Sequence, residues 1–318
     1  MQKESSIIYI NSMAKIYVIG GANIDIFAKS KKKIILKDSN PSSISFSYGG
    51  VARNITENLA NLNLKPVFIS AFSNDPFGKM MADDLRNKGV DLSYSVFTSD
   101  KNSSIYLALM DRNDMFVGAS DMEILSLITK DKLQELQGII NDDDYLIFDT
   151  NLNEELIEYI ASDFKGIKIV DAISKSKVLK IKKVLDKLSI LKLNKLEAEQ
   201  LLNRKITKQG LRKASKDIHE LGVKEVLISD SSDIYLTNDK SYHYKHFAYR
   251  DNPTNVTGAG DALLAGYVYG KFYKLSIDET VKFAISLAIL TVDDNNPVAK
   301  INVDTIAKFV KDTRIEKL

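Results

Sequence analysis

The sequence predicts an α/β fold, a mainly parallel open sheet with helices on both faces and a small β-sheet lid. Three observations predict it. From about Tyr145 onward, short apolar runs alternate with amphipathic helical stretches, the rhythm of a parallel sheet covered on both sides. Nearer the N-terminus, around 22–47 and 92–119, short strands with polar turns interrupt that rhythm and form a β layer of their own. The 318 residues, 44% apolar and 27% charged, carry no repeat of fixed period and no low-complexity linker, so one domain is expected over 14–318.

Ile16, Tyr17, Val18 and Ile19 read as a short buried strand, Gly20-Gly21 as a turn, and Ile24, Ile26 and Ala28 as the alternating face of a second extended stretch. After Gly49-Gly50, Val51, Ile55, Leu59 and Leu62 recur at helical spacing, and Pro66 opens a strand at 67–71 that returns the chain to the sheet. A helix at 77–87 ends before Gly89, and 94–97, 104–110 and 115–119 read as short strands. The alternation resumes with strand 145–148, helix 154–162, strand 167–170, helix 178–188, strand 190–193 and helix 196–202. A helix at 208–221 leads to strand 225–229 and a hairpin through 234–236 and 242–244. The last third is mostly helical, over 261–271, 277–292 and 303–311.

Composition excludes several classes. No apolar run approaches the ~20 residues of a membrane span. Forty-four basic against 42 acidic side chains leave a net charge of +2, so no whole-molecule field favours nucleic acid or an anionic membrane, and any anion must be bound locally. The absence of cysteine removes disulfides, thiolate metal sites and a cysteine nucleophile, and makes the cytoplasm the default compartment. Residues 1–13 lack the apolar core of a signal peptide and read as an N-terminal extension, with Met13 an alternative start. His243 and His246 sit three apart in a predicted hairpin with only His219 elsewhere, a poor pattern for a metal site.

The strongest chemical signal is Asn255-Val256-Thr257-Gly258-Ala259-Gly260-Asp261, a glycine-bearing turn that runs into a helix whose first turns are small, with Ala262, Ala265 and Gly266. Consecutive amides at such a turn point outward, and the helix N-terminus adds positive potential, so Gly258, Ala259 and Gly260 can form an anion hole. A carboxylate beside an anion site needs a reason. Phosphoryl transfer to an alcohol supplies one: the amides hold the phosphoryl group while Asp261 accepts the hydroxyl proton over about 2.6–3.2 Å. Taken alone, a capped helix with Asp in a dipole-favoured place would look the same. The run is neither a dinucleotide fingerprint, since Leu263 stands at the third glycine, nor a P-loop.

A second constellation joins Gly20-Gly21, Asn23 and Asp25 to Gly49, Gly50 and Asn54. Asn23 and Asp25 share strand parity, so both face one side. A carboxylate and an amide there suit vicinal hydroxyls, while paired glycines allow close approach of the backbone to a ligand. Turn glycines with an Asx cap would explain either piece by itself.

These motifs, with Asn194-Lys195-Leu196-Glu197, occur in the order and spacing of the ribokinase-like, or PfkB, carbohydrate kinases, and the chain resembles that family from Lys15 to Val310. Within it, the sequence is most similar to the pseudouridine kinases. That likeness is carried by Asp38-Ser39-Asn40-Pro41, Gly50-Val51-Ala52-Arg53-Asn54-Ile55 with Asn58-Leu59-Ala60, Asp121-Met122 before Ile128-Thr129, the run from Asn194 to Glu199, and Asn255-Val256-Thr257. The resemblance implies a ribokinase-like fold and ATP-dependent phosphorylation of the 5′-hydroxyl of pseudouridine, with a ribokinase or other nucleoside or sugar kinase as the alternative. It implies Asp261 as general base and Gly258, Ala259 and Gly260 as anion hole. Asn23, Asp25, Gly49, Gly50 and Asn54 would contact the acceptor, with Asn40, Ser103 and Asn151 near its base. Asn194, Thr257, Gly258 and Gly260 would meet the nucleotide, and Asn194 and Glu197 would organise Mg²⁺ through water. It further implies a homodimer through the lid, with small molecules as the other partners.

Several positions depart from the family pattern. Ser229-Asp230-Ser231-Ser232-Asp233 replaces a glycine-rich nucleotide loop with two carboxylates, which raises the alternative of a nucleoside- or sugar-binding protein whose nucleotide site has decayed. Asp171-Ala172 stands where Asp-Pro is usual, and Lys192-Leu193-Asn194 lacks a proline before Asn194. Asn255 replaces a frequent Asp, which leaves a monovalent cation possible without strong support.

Overall fold

β1 (Ile16–Ile19) is buried at every position because helices cover both of its faces: Ile16 and Val18 enter one apolar core, Tyr17 and Ile19 the other. The computed structural model describes residues 14–111, 114–247, 258–294 and 296–318, and the expected extension 1–13 lies outside them. β2 (Asn23–Ser30) and β3 (Ser42–Gly49) form a hairpin that leads into α1 (Val51–Asn61). There follow β4 (Val67–Ile69), β5 (Ala71–Ser73), α2 (Pro76–Asn87), β6 (Val96–Thr98), β7 (Ile105–Asp111), β8 (Asp114–Asp121) and α3 (Lys130–Gln137). β9 (Tyr145–Asp149), α4 (Glu154–Asp163), β10 (Ile167–Asp171), β11 (Ile190–Asn194), α5 (Lys195–Leu201) and α6 (Leu211–Glu220) continue the alternation. The chain ends with β12 (Glu225–Asp230), β13 (Asp233–Thr237), β14 (Ser241–His246), α7 (Ala259–Phe272), α8 (Ile277–Val292), α9 (Val303–Asp312) and β15 (Ile315–Lys317).

Among the described residues the main sheet has nine strands, in the order β15-β14-β13-β12-β11-β10-β9-β1-β4. It is parallel from β4 to β12 and antiparallel beyond. Its alternating side chains feed two cores: α1, α2, α7, α8 and α9 pack against one face, and α3, α4, α5 and α6 against the other. α7 is buried along nearly its whole length, and Gly266 and Gly270 let it lie close against α8, where a Cβ would meet Ala284 and Thr280 at 2.7 and 2.6 Å. No described helix is long and apolar enough to cross a membrane.

The second sheet, ordered β3-β2-β7-β8, is the lid. Pairing puts Ile26, Phe46 and Leu107 side by side, with Ile44, Leu109 and Val117 on the same face, opposite Asp25. That face is exposed: Ile44 retains 72% of its accessibility, Phe46 55% and Val117 52%.

Three expectations need correction. The segment at 94–97 does not join the lid; β6 pairs with β5 in a separate two-stranded sheet, because Phe97 stacks on buried Phe72 at 5.5 Å. The helix expected at 178–188 is two 3₁₀ turns, Val178–Ile181 and Leu185–Lys187. Its buried Val178, Ile181 and Val184 recur every third residue, which suits three residues per turn better than 3.6. β3, α3 and β15 go beyond the expected elements; α3 buries only Leu133 and Leu136.

Candidate active site

Four neighbouring parallel strands end in polar residues at one edge of the sheet: β9 in Asp149, β10 in Asp171, β11 in Asn194 and β12 in Asp230. Asp149, Asp171 and Lys192 are register partners across β9, β10 and β11. The carboxyl edge of an open parallel sheet is where such folds bind ligands.

Asp149 is fully buried and acts as a clasp. One of its oxygens accepts from the amides of Gly21 at 3.2 Å and Ala52 at 3.0 Å, and the other from the amide of Asn151 at 2.9 Å. One carboxylate thus ties the Gly20-Gly21 turn to the start of α1. Gly50, with φ 96°, caps α1 in a backbone region that favours glycine, and a side chain there would run into the carbonyl of Gly21. Asn23 Nδ2 donates to Asp25 Oδ1 at 2.6 Å, which confirms their shared face, and Gly49 leaves the room that the Asp25 carboxylate occupies. Burial pushes Asp25 up to about 6 against the pull of Asn23 and Arg53.

Asn54, on α1, donates from Nδ2 to Asp261 Oδ2 at 2.9 Å, and so joins two motifs 207 positions apart. Gly258 begins α7 in the left-handed region at φ 84°, packed on the carbonyl of Pro297, and Asp261 lies in the first helical turn. Beneath this turn lies a buried ammonium: a Cβ on Gly260 would stand 2.5 Å from Lys192 Nζ. Lys192 pairs with Asp171 at 2.9 Å. Asp261 is pushed up to about 8, mainly by burial and then by the charge of Asp171, while Lys192 and the Asn54 donor oppose the shift. Lys192 itself keeps its proton firmly, because Asp171, Glu197 and Asp261 outweigh the cost of its burial. Glu197 is raised by burial and by Asp171.

Asn194 and Glu197 form a reciprocal helix cap on α5. Glu197 N donates to Asn194 Oδ1 at 3.0 Å, while the backbone N and Nδ2 of Asn194 donate to the Glu197 carboxylate at 2.8 and 2.6 Å. Ser103 donates to the Asp75 carboxylate from its amide and from its hydroxyl, at 2.8 and 2.6 Å. The amide of Asn40 closes its own turn onto Ile35 and Asp38. Asn151 sits beside Gly21, donating to Asp149 and accepting from Lys177 at 2.6 Å. Thr257 and Asn255 lie outside the described residues.

The loop at 229–233 is less anionic than its sequence suggests. Asp233 is 2% exposed and paired with Lys208 at 2.9 Å and His243 at 2.7 Å, and these partners hold its carboxyl below the usual range although burial opposes them. Asp230 lies 4.0 Å from Lys195. Among the described residues no cluster of three or more His, Cys, Asp or Glu is placed to hold a metal ion.

Asp149 was not expected at the site, and Asp171 and Lys192 stood out only as departures from a pattern. The available signal was position: Asp149 and Asp171 are charged residues at the carboxyl ends of their strands, and Lys192 is a lysine inside the otherwise apolar body of β11.

The chain is similar to known proteins in sequence and in fold. Residues 13–302 match the family model described as pfkB family carbohydrate kinase. The chain is 31% identical to the pseudouridine kinase of Escherichia coli, over 89% of its own length and 92% of that protein. It superposes on a carbohydrate kinase from Agrobacterium tumefaciens with a TM-score of 0.80 at 24% identity, covering 96% of this chain and 100% of that one. On the Arabidopsis thaliana ribokinase complexed with ribose and ATP the TM-score is 0.78 at 20% identity, covering 94% and 99%. The fold is ribokinase-like, and the chain belongs to the pfkB family of carbohydrate kinases.

Proposed function

We propose that this kinase transfers the γ-phosphoryl group of ATP to the 5′-hydroxyl of pseudouridine. The observation that carries the reading is the meeting of Asp261 with Asn54 at 2.9 Å beside the Gly258 turn, which sets a candidate base next to a candidate anion hole and ties it to the start of α1 after Gly49-Gly50. The likeness to a pseudouridine kinase supports this acceptor.

In this mechanism Asn23, Asp25 and Asn54 hold the ribose hydroxyls, and Gly49 and Gly50 let the backbone close on the sugar. Asp261 takes the proton of the 5′-hydroxyl as that oxygen bonds to the γ-phosphorus, the bond to the bridging oxygen breaks, and ADP leaves. The amides of Gly258, Ala259 and Gly260 hold the transferring group, and Lys192 beneath them adds a full positive charge. The donors fit a magnesium ion carried mainly by nucleotide phosphates and water: Glu197 and Asp171 offer buried oxygens, with no closed three-ligand cage among the described residues. That ion, when bound, neutralises charge on the phosphates. The pairing of Asp233 with Lys208 and His243 supports ATP as donor, because one of the two carboxylates of the 229–233 loop is buried and engaged.

The lid's apolar outer face is the proposed dimer surface, with a second copy of this chain as its occupant. The face is continuous across all four strands and too apolar to favour solvent. A panel of pseudouridine, uridine, other nucleosides, ribose and ketohexoses with MgATP, read by mass spectrometry, tests the acceptor. Preferred phosphorylation of pseudouridine is expected. Preference for free ribose would overturn the acceptor, and binding of a nucleoside without ATP turnover would overturn the activity.

A further inference from the structure

We propose that Arg53 is a positioning residue for the phosphotransfer, fixing the Asn54 amide so that its NH₂ group rather than its oxygen meets Asp261. The proposal rests on the reading of Asp261 as the base and adds a residue that acts on it through Asn54.

Arg53 is a buried side chain, 3% exposed, held from three directions. Its Nη1 donates to the carbonyl of Tyr48 at the end of β3, at 3.4 Å, and to Asn54 Oδ1 at 3.3 Å. Its Nη2 donates to Asp84 on α2 at 3.0 Å and pairs with Glu57 one turn along α1. The guanidinium lies over the Tyr48 ring, 5.0 Å from its centroid. Lys88 completes the network by pairing with Glu57 at 3.0 Å and Asp84 at 2.5 Å, so both carboxylates are shared between two cations. A fork anchored in this way has little freedom to turn away from Asn54.

The consequence follows from donor and acceptor chemistry. A guanidinium has only donors, whereas an asparagine amide presents an acceptor on one side and donors on the other. With Arg53 on one side, only the oxygen can face it, because the reversed amide would set N–H against N–H. The NH₂ group is thereby committed to the Asp261 carboxylate at 2.9 Å. This choice matters for the reaction. A donor favours the ionised carboxylate, the form able to accept a proton, whereas an amide oxygen in the same place would favour the protonated acid. Ion pairing between α1 and α2 alone would call for the contacts of Arg53 to Glu57 and Asp84 but not for its reach to Asn54.

A double-mutant cycle with Arg53→Met and Asn54→Leu in the full chain, with MgATP and the acceptor found by the substrate panel, tests this. Arg53→Met is expected to lower kcat by about tenfold, the loss of one oriented hydrogen bond at the base, with the KM for ATP changed by less than about twofold. In the Asn54→Leu background the same substitution is expected to change kcat by less than about twofold, because no amide remains to orient. Independent, multiplying losses would overturn the proposal, as would an unchanged kcat in Arg53→Met. If Arg53→Met fails to fold, Arg53→Lys, which keeps a charge for Glu57 and Asp84 without the fork, runs the same cycle under the same criterion. A wild-type protein that phosphorylates no acceptor removes the kinase reading and this proposal together; turnover with independent losses removes Arg53 alone.

Discussion

Replacing Asp171 by Asn and Lys192 by Met, one at a time, should displace the pH dependence of turnover in opposite directions. Asp261 is held at about 8 chiefly by burial, with Asp171 adding to the shift and Lys192 opposing it. With the base at about 8, about a tenth of it is ionised at pH 7 and about nine-tenths at pH 9, so kcat/KM for the acceptor should climb about tenfold between them. A unit charge about 6 Å away, in an effective dielectric of about 20, is worth about 3 kcal/mol, or about two pH units. Water entering the space vacated by a truncated side chain screens part of that change. The net expectation is a rise of about one unit in Lys192→Met and a fall of about one unit in Asp171→Asn. An ADP-release assay at saturating MgATP, from about pH 6 to about pH 9.5, measures both limbs. A limb that stays in place in both variants, or one that moves upward in Asp171→Asn, would refute the assignment of Asp261 as the titrating base.

Other outcomes follow from the same geometry. Because the folded protein holds Asp261 above its ordinary 3.8, at about 8, its stabilising effect is full below that lower value and is lost as pH rises through the upper one. Asp261→Asn should therefore melt close to wild type at pH 5 but about a few degrees higher at pH 8.5, by calorimetry; an offset independent of pH would contradict this. Gly260→Ala places a methyl group 2.5 Å from Lys192 Nζ and should cost about 10²-fold in kcat while calorimetric binding of the acceptor survives. A loss below about threefold would mean that the ammonium is not fixed beneath the turn. Phe46→Glu with Val117→Lys, on the exposed lid face, should convert a dimer into a monomer in sedimentation, and an unchanged mass would place the interface elsewhere.

Much of the fold was legible because both faces of each central strand are buried. Ile16 to Ile19 and Tyr145 to Phe148 announce themselves as apolar runs, and helices such as α1 and α4 carry one apolar stripe each. Elements stabilised by few local cues were harder to read. β3 alternates serine with apolar residues of which Ile44 and Phe46 stay exposed, α3 buries two leucines, and the 178–188 stretch follows a three-residue rhythm that resembles a helix until its hydrogen bonds are seen.

The sequence by itself determined the chemistry on offer: a glycine turn before Asp261, a polar pair at Asn23 and Asp25, the Gly49-Gly50 turn with Asn54, and a capped helix at Asn194 to Glu197. These signals are local, set by backbone conformation and spacing within a few residues. Only the tertiary structure decided which groups meet. Asn54 reaches Asp261 across 207 positions, Lys192 slides beneath Gly260, Asp149 fastens two glycine turns, and Asp233 is engaged by Lys208 and His243. The physical reason is that the charge state of a buried carboxylate depends on its solvation and on neighbouring charges within several ångströms, and strands far apart in the chain deliver those neighbours to one edge of the sheet.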